Sequence, residues 1–324
     1  MPYYGIPVGQ TNEDVGFGYN KQIITGMLRG KYHFDGVVCT DWGLVSDMGI
    51  LGFVLKPSAA HGVENLSIRQ RVTKIIEAGC DMFGGEMIPE VVIDLVTSGA
   101  ITEERINISV KRILKDKFRL GLFDDPYLSP ENVSIPGNEQ FMEKGKESQR
   151  RSLVLLKNEN GTLPLKAGTK IYLQGFNEKQ TAMYKAMTVT REEADVIILK
   201  LKTPHHEGKG KYLLERMMVQ GDLDFQGDEK EEIIKLIQSK PTITVIQLDR
   251  PAVIPEINTG SKAVIADFLS HDEIILDMIF GKFKPTGKLP FELPSSMGAV
   301  LKQKEDLPHD SENPLYPFGF GITY

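Results

Sequence analysis

The 324-residue sequence predicts an α/β protein in two parts: a β/α-repeat region of barrel type, then an α/β/α sandwich built on a mostly parallel sheet. Three observations carry this. Short apolar runs rich in β-branched residues alternate with amphipathic helices along the whole chain. In the first part these runs end in carboxylates, at Asp41 and Asp81, and a strand's C-terminal tip is where α/β enzymes place their chemistry. Between the two parts the alternation stops in Asp124-Asp125-Pro126-Tyr127, followed by Pro130, Asn132, Ser134 and Pro136, the composition of a linker. The expected boundaries are a first domain over 1–127, a linker over 128–138 and a second domain over 139–324.

Taken in order, Asn20 can cap a helix through about Arg29, with Ile23, Ile24, Met27 and Leu28 on its apolar side and Gly30 ending it. A buried strand follows over Val37 to Thr40. Helices are expected over about Ser67 to Ala78, Pro89 to Thr97 and Glu103 to Phe118, each with apolar residues at helical spacing. In the second part strands are expected at Leu153–Leu156, Lys170–Gln174, Val196–Leu201, Thr242–Leu248 and Ala263–Phe268. Helices are expected at about Glu139–Arg151, Asp228–Ser239 and Asp272–Phe280. The aromatic, glycine-rich tail Tyr316-Pro317-Phe318-Gly319-Phe320-Gly321 folds back as a loop or edge strand.

Composition narrows the function classes. A net charge of −6 argues against a nucleic-acid partner, which needs a basic face. No run approaches the roughly 20 apolar residues that span a bilayer, so no membrane partner is expected. Met1-Pro2-Tyr3-Tyr4-Gly5 has neither a basic start nor an apolar run, so no signal peptide is expected in this chain. The location stays open: cytoplasmic, or secreted or periplasmic if further residues precede Met1. The two cysteines, Cys39 and Cys80, read as buried reduced thiols. No Cys/His spacing suits a metal, and no Gly-x-Gly-x-x-Gly follows a strand, so neither metal nor cofactor is expected.

The chemistry concentrates at Asp41-Trp42-Gly43. Trp42 is the single tryptophan of the chain. Its flat apolar face beside a strand-end carboxylate suits a sugar ring, although a half-buried core tryptophan reads the same way. For Asp41 the plainer alternative is a turn cap.

Several segments then resemble glycoside hydrolase family 3, the β-glucosidase and β-xylosidase family, in the family's order. Phe34 to Gly43 resembles its nucleophile strand and Ala78-Gly79-Cys80-Asp81-Met82 the strand that closes its barrel. Ser152 to Asn158 with Leu163-Pro164-Leu165 resembles the entry to its second domain. Pro285 to Phe291 and Tyr316 to Gly321 resemble that domain's end. The resemblance implies a partial (β/α)8 barrel, last strands only, because Met1 to Gly5 resembles the sixth strand. It also implies a retaining, exo-acting β-glycosidase that hydrolyses a β-linked glucoside or related oligosaccharide. A barrel cannot close on about three strands, so a second chain, an oligomer or a longer gene product is expected to complete it. The alternative is a non-catalytic fragment or partner subunit that binds sugar or another chain.

The resemblance makes Asp41 the nucleophile, Trp42 the wall of the sugar site, and Tyr4 a hydrogen-bond donor to Asp41 that favours its carboxylate; Tyr3 is the alternative. The acid/base comes from the second domain, from the glycine-rich loop after Val196–Leu201. Glu207 is preferred there, with Glu215 its rival and His206 beside it as a substrate contact. A solvated surface charge is the plain alternative for each. Asp81 reads as an internal acceptor holding the barrel's end. Glu64 and Glu86 are weaker candidates for contacts with distal sugar hydroxyls, and His61 reads as an exposed loop histidine, with the site's entrance as the alternative.

Overall fold

The computed structural model describes residues 1–205, 210–217 and 221–324. They form two compact units, one of residues 1–132 with 210–217 and one of residues 133–205 with 221–324.

In the first unit, strand β1 (Cys39–Trp42) leads to a hairpin of β2 (Met48–Ile50) and β3 (Phe53–Lys56). Strand β4 (Met82–Gly84) runs parallel to β1, with Cys39 opposite Met82 and Trp42 opposite Gly84. The strand expected at Val37–Thr40 thus begins two residues later and includes Asp41. Val38 is occupied otherwise: its N–H donates to Asp81 Oδ2 at 2.9 Å, and its carbonyl accepts from Asp81 N at 2.8 Å.

The preceding helix, Gln22–Lys31, runs past Gly30 because it is wound wide, with Tyr32 N–H bonding the Met27 carbonyl five residues back. Asn20 accepts from Ile23 N at 3.1 Å, as a cap should. Helix Ile68–Ala78 starts in a Ser67/Gln70 capping box and ends at left-handed Gly79 (φ 107°). Helices Pro89–Thr97 and Glu103–Arg119 complete the unit. Val38, Val72, Ile75, Ile76 and Leu95 form its core.

Asp81, its side chain fully buried, ties this core together. Its carboxylate accepts from Arg29 (2.6 Å), Arg112 (3.1 Å), Ser109 (2.7 Å) and Val38 N. Arg29 also reaches the Phe34, Gly36 and Gly79 carbonyls, and Arg105 those of Ile76 and Cys80. One carboxylate therefore fixes the entry to β1, the entry to β4 and two helices.

The second unit is a five-stranded sheet: β5 (Val154–Asn158), β6 (Ile171–Gln174), β7 (Val196–Leu201), β8 (Thr242–Gln247) and β9 (Ala263–Asp267), in the order β5-β9-β8-β7-β6. All neighbours are parallel except β5 with β9. Alternation sends Ile197 and Leu199 to one face, under helix Gly227–Ser239, and Ile198 to the other, under helix Asp272–Ile279. Both faces are covered, so its central strands read as unbroken apolar runs. The tail adds two short antiparallel bridges, Leu155 with Ile322 and Leu293 with Tyr316.

Both cysteines are free thiols. Cys80 is buried, and burial pushes its thiol up to about 12. Cys39 is only half-buried, against the sequence expectation: it lies on β1, whose second edge has no strand among the described residues.

Candidate functional site

Asp41 stands in β1 one residue before the strand ends, half-buried, with Oδ1 accepting from Trp42 N at 2.8 Å. The turn after it is fixed from several sides. Gly43, at φ 67°, donates to the Gly84 carbonyl and accepts from Ala59 N at 2.8 Å. Glu86 accepts from Val45 N (2.7 Å), Ser46 N (3.2 Å) and the Ser46 hydroxyl. Tyr19 donates to the Leu44 carbonyl at 2.6 Å, and Arg71 to that of Val45 at 2.9 Å. Asp41 therefore projects from a backbone with little freedom.

Trp42 is half exposed. A Cβ built on Gly84 would lie 2.8 Å from Trp42 Cε3, and one on Gly85 would overlap Cδ1. The indole thus packs against a backbone that only glycines leave open, and half of its surface stays in solvent. Gly85 also takes φ 65°. Gly85→Ala is expected to dislodge the ring and to cost roughly 1–3 kcal/mol. Because Trp42 is the chain's one tryptophan, a red shift and stronger acrylamide quenching of its emission would report the change, and an unaltered spectrum would contradict the packing.

Tyr4 reaches the same strand end and meets the Trp42 carbonyl as well as the Asp41 carboxylate. Its hydroxyl donates to the Trp42 carbonyl at 2.7 Å, an acceptor that lies on the adjacent backbone and competes with the Asp41 carboxylate for the phenol's one proton. Burial first, then Asp41, pushes the Tyr4 phenol up to about 12, so it remains a protonated donor across the physiological range. Tyr3 is exposed and sits edge-on to Phe17. Lys56, on β3, holds its ammonium 4.5 Å from the Tyr4 ring centre and 3.4 Å from its hydroxyl.

Asp41, Trp42 and Tyr4 are thus brought together. Glu207 and His206 lie outside the described residues. Glu215 sits on the short helix Leu213–Met217, beside β3 in the unit that holds Asp41, and its Oε2 accepts from Tyr212 N at 3.1 Å. Hydrogen bonds from its own backbone N–H and then from Gly62 N hold the Glu64 carboxyl below the usual range. Glu86 holds the turn, and His61 is exposed. Sequence reasoning missed Lys56 and the supporting role of Glu86; only the Gly84-Gly85 pair ahead of a carboxylate signalled a tight approach. Among the described residues no group of three His, Cys, Asp or Glu side chains could hold a metal ion.

Comparison with known sequences decides the family. The glycosyl hydrolase family 3 N terminal domain matches residues 10–115, and the family's C-terminal domain matches residues 181–324. The chain belongs to glycoside hydrolase family 3. In this family 3 chain, Asp41 and Trp42 fall within the first match and β8, β9 and the tail within the second.

Beta-glucosidase C of Emericella nidulans is 47% identical over 329 residues, a match covering all of this chain and 53% of that protein. The periplasmic beta-glucosidase/beta-xylosidase of Dickeya chrysanthemi is 36% identical, covering 98% of this chain and 50% of that one. The chain thus spans about half the length of the curated relatives it matches. Among solved structures, a beta-glucosidase from Listeria innocua in complex with glucose superposes with a TM-score of 0.73 at 22% identity, over 96% of this chain and 50% of that one. A b-glucosidase from Erythrobacter marinus gives 0.75 at 20% identity, over 94% and 50%. These likenesses support the α/β fold with a mostly parallel sheet.

Proposed function

We propose that this chain is the nucleophile-bearing part of a retaining, exo-acting β-glycosidase of β-glucosidase type. The observation that carries the reading is Asp41 at the end of β1, held by a fixed turn beside half-exposed Trp42, in a family 3 chain whose relatives are named as β-glucosidases. The Asp41 carboxylate attacks the anomeric carbon of a β-linked glucoside and forms a glycosyl ester while the leaving oxygen takes a proton. Trp42 packs against the sugar's C–H face. Water, activated by the same acid/base, then releases the sugar with retained configuration. Glu207 is the preferred acid/base, Glu215 its rival, and His206 a substrate contact. Tyr4 steadies the strand end through the Trp42 carbonyl.

The remaining barrel strands come from further polypeptide. Two features support this. In the described first unit, β1 and β4 pair only with each other. Beside β1 lies an apolar hollow of about 500 Å³, walled by Tyr3, Phe17, Met27, Phe34, Val37 and Val38. A strand-plus-helix unit laid there covers these side chains and pairs the open edge.

The test is hydrolysis of an aryl β-glucoside by this chain alone and with the other half of its relatives' length co-expressed. Activity is expected only in the second case, with the two parts co-eluting on size exclusion. A folded chain that neither binds the complement nor hydrolyses the glucoside with it would favour the non-catalytic reading.

A further inference from the structure

We propose that Lys56 is a positioning residue of this site: from the hairpin that follows the nucleophile strand, it holds the Tyr4 phenol against the Asp41–Trp42 strand end. Its catalytic meaning rests on the function proposed above; the contact itself does not.

The geometry points to a committed role. Lys56 makes two contacts with one side chain, its ammonium over the Tyr4 ring at 4.5 Å and within 3.4 Å of the hydroxyl oxygen. A cation over an aromatic face is attracted by the ring's negative face. The phenol has one proton, and it goes to the Trp42 carbonyl. Its oxygen is left as an acceptor, and the lysine N–H meets it. The two bonds have opposite sense, so Tyr4 is held by both ends of its hydroxyl dipole. Among the described residues Lys56 forms no ion pair with a carboxylate; its charge is directed at this ring.

The hairpin is built to deliver it. Leu51 and Gly52 both take positive φ (52° and 82°), a two-residue turn that matches strand twist and sets the register. That register puts Lys56 opposite Met48, at the hairpin's root rather than its tip. The root is clamped to the nucleophile turn: Ser58 N donates to Asp47 Oδ1 at 2.8 Å, Ala59 N to the Gly43 carbonyl, and Arg71 to both Val45 O and Ser58 Oγ. Asp41 raises the phenol, and Glu86 is committed to Val45 and Ser46.

The test uses the 324-residue chain and its single tryptophan, whose carbonyl Tyr4 holds. Acrylamide quenching of Trp42 is measured in the wild type, Tyr4→Phe, Lys56→Met, Lys56→Arg and the double variant Lys56→Met/Tyr4→Phe, with far-UV circular dichroism as the folding control. Lys56→Met keeps the aliphatic stem and removes the charge. It is expected to reproduce at least about half of the change caused by Tyr4→Phe, and the double variant to add nothing further. Lys56→Arg, which keeps a cation and a donor, is expected to stay at the wild-type value. A wild-type quenching constant in Lys56→Met, or full additivity in the double variant, overturns the proposal. Failure here leaves Asp41's chemistry untouched, and failure of Asp41 as nucleophile leaves this coupling standing, so the two readings fall separately.

Discussion

Asparagine in place of Asp41 is expected to lower kcat for an aryl β-glucoside by at least about 1,000-fold, or ~4 kcal/mol of barrier, in the enzyme that contains the rest of the barrel. The amide is isosteric and still accepts from Trp42 N, so the turn and the indole stay in place. What is lost is the negative charge and the oxygen that bonds the anomeric carbon. Substrate affinity is expected to survive, so the loss falls on kcat. A second substitution separates a lost nucleophile from a damaged site. Asp41→Gly leaves a space in which azide can attack the same carbon, and the expected product is a glycosyl azide of inverted configuration. Undiminished hydrolysis by Asp41→Asn would remove Asp41 from the reaction.

The largest expected effect on stability is at Asp81. Replacing it by Ala removes the common acceptor of Arg29, Arg112, Ser109 and the Val38 amide. Arg29 and Arg112 are themselves largely buried, so each is left with an uncompensated charge. Breaking a buried pair from one side typically costs about 3–5 kcal/mol. Asp81→Asn is expected to lose nearly as much, because it keeps the shape but not the charge. Urea unfolding followed by Trp42 emission reports the first unit, since the second has no tryptophan. A drop in the Trp42 midpoint with little change in the second unit's far-UV signal is the expected result. An unchanged midpoint would show that the guanidinium groups find other partners.

The readable parts of this chain were those whose local chemistry and long-range packing agree. Helix Ile68–Ala78 shows its capping box and its glycine stop in the sequence, and both form. The apolar runs of β7, β8 and β9 are long enough to be read as strands because both of their faces are buried. Asp81 could be read as an internal acceptor, but not its two arginines, Arg29 and Arg112, which come from helices on either side of it in the chain. The hairpin Met48–Lys56 escaped the sequence reading for a physical reason. Its strands are three and four residues long, it lacks the polar/apolar alternation of a half-buried strand, and its turn places Leu51, not Asn or Asp, at positive φ. Lys56 was therefore invisible as a neighbour of Tyr4. Spacing brings the Tyr4 phenol to the strand end without choosing between the Asp41 carboxylate and the adjacent Trp42 carbonyl, and it meets both.

The central claim, that Asp41 becomes covalently bonded to the sugar, is tested most directly by trapping. An activated 2-deoxy-2-fluoro-β-glucoside disfavours both oxocarbenium-like steps, while its good leaving group keeps the first faster than the second, so the ester accumulates. The completed enzyme is treated with this compound, digested and mapped by mass spectrometry. The account predicts one fluoroglucosyl label, on the peptide that carries Asp41-Trp42, and none after Asp41→Asn. A label on another carboxylate, or steady hydrolysis with no label on any peptide, would contradict it.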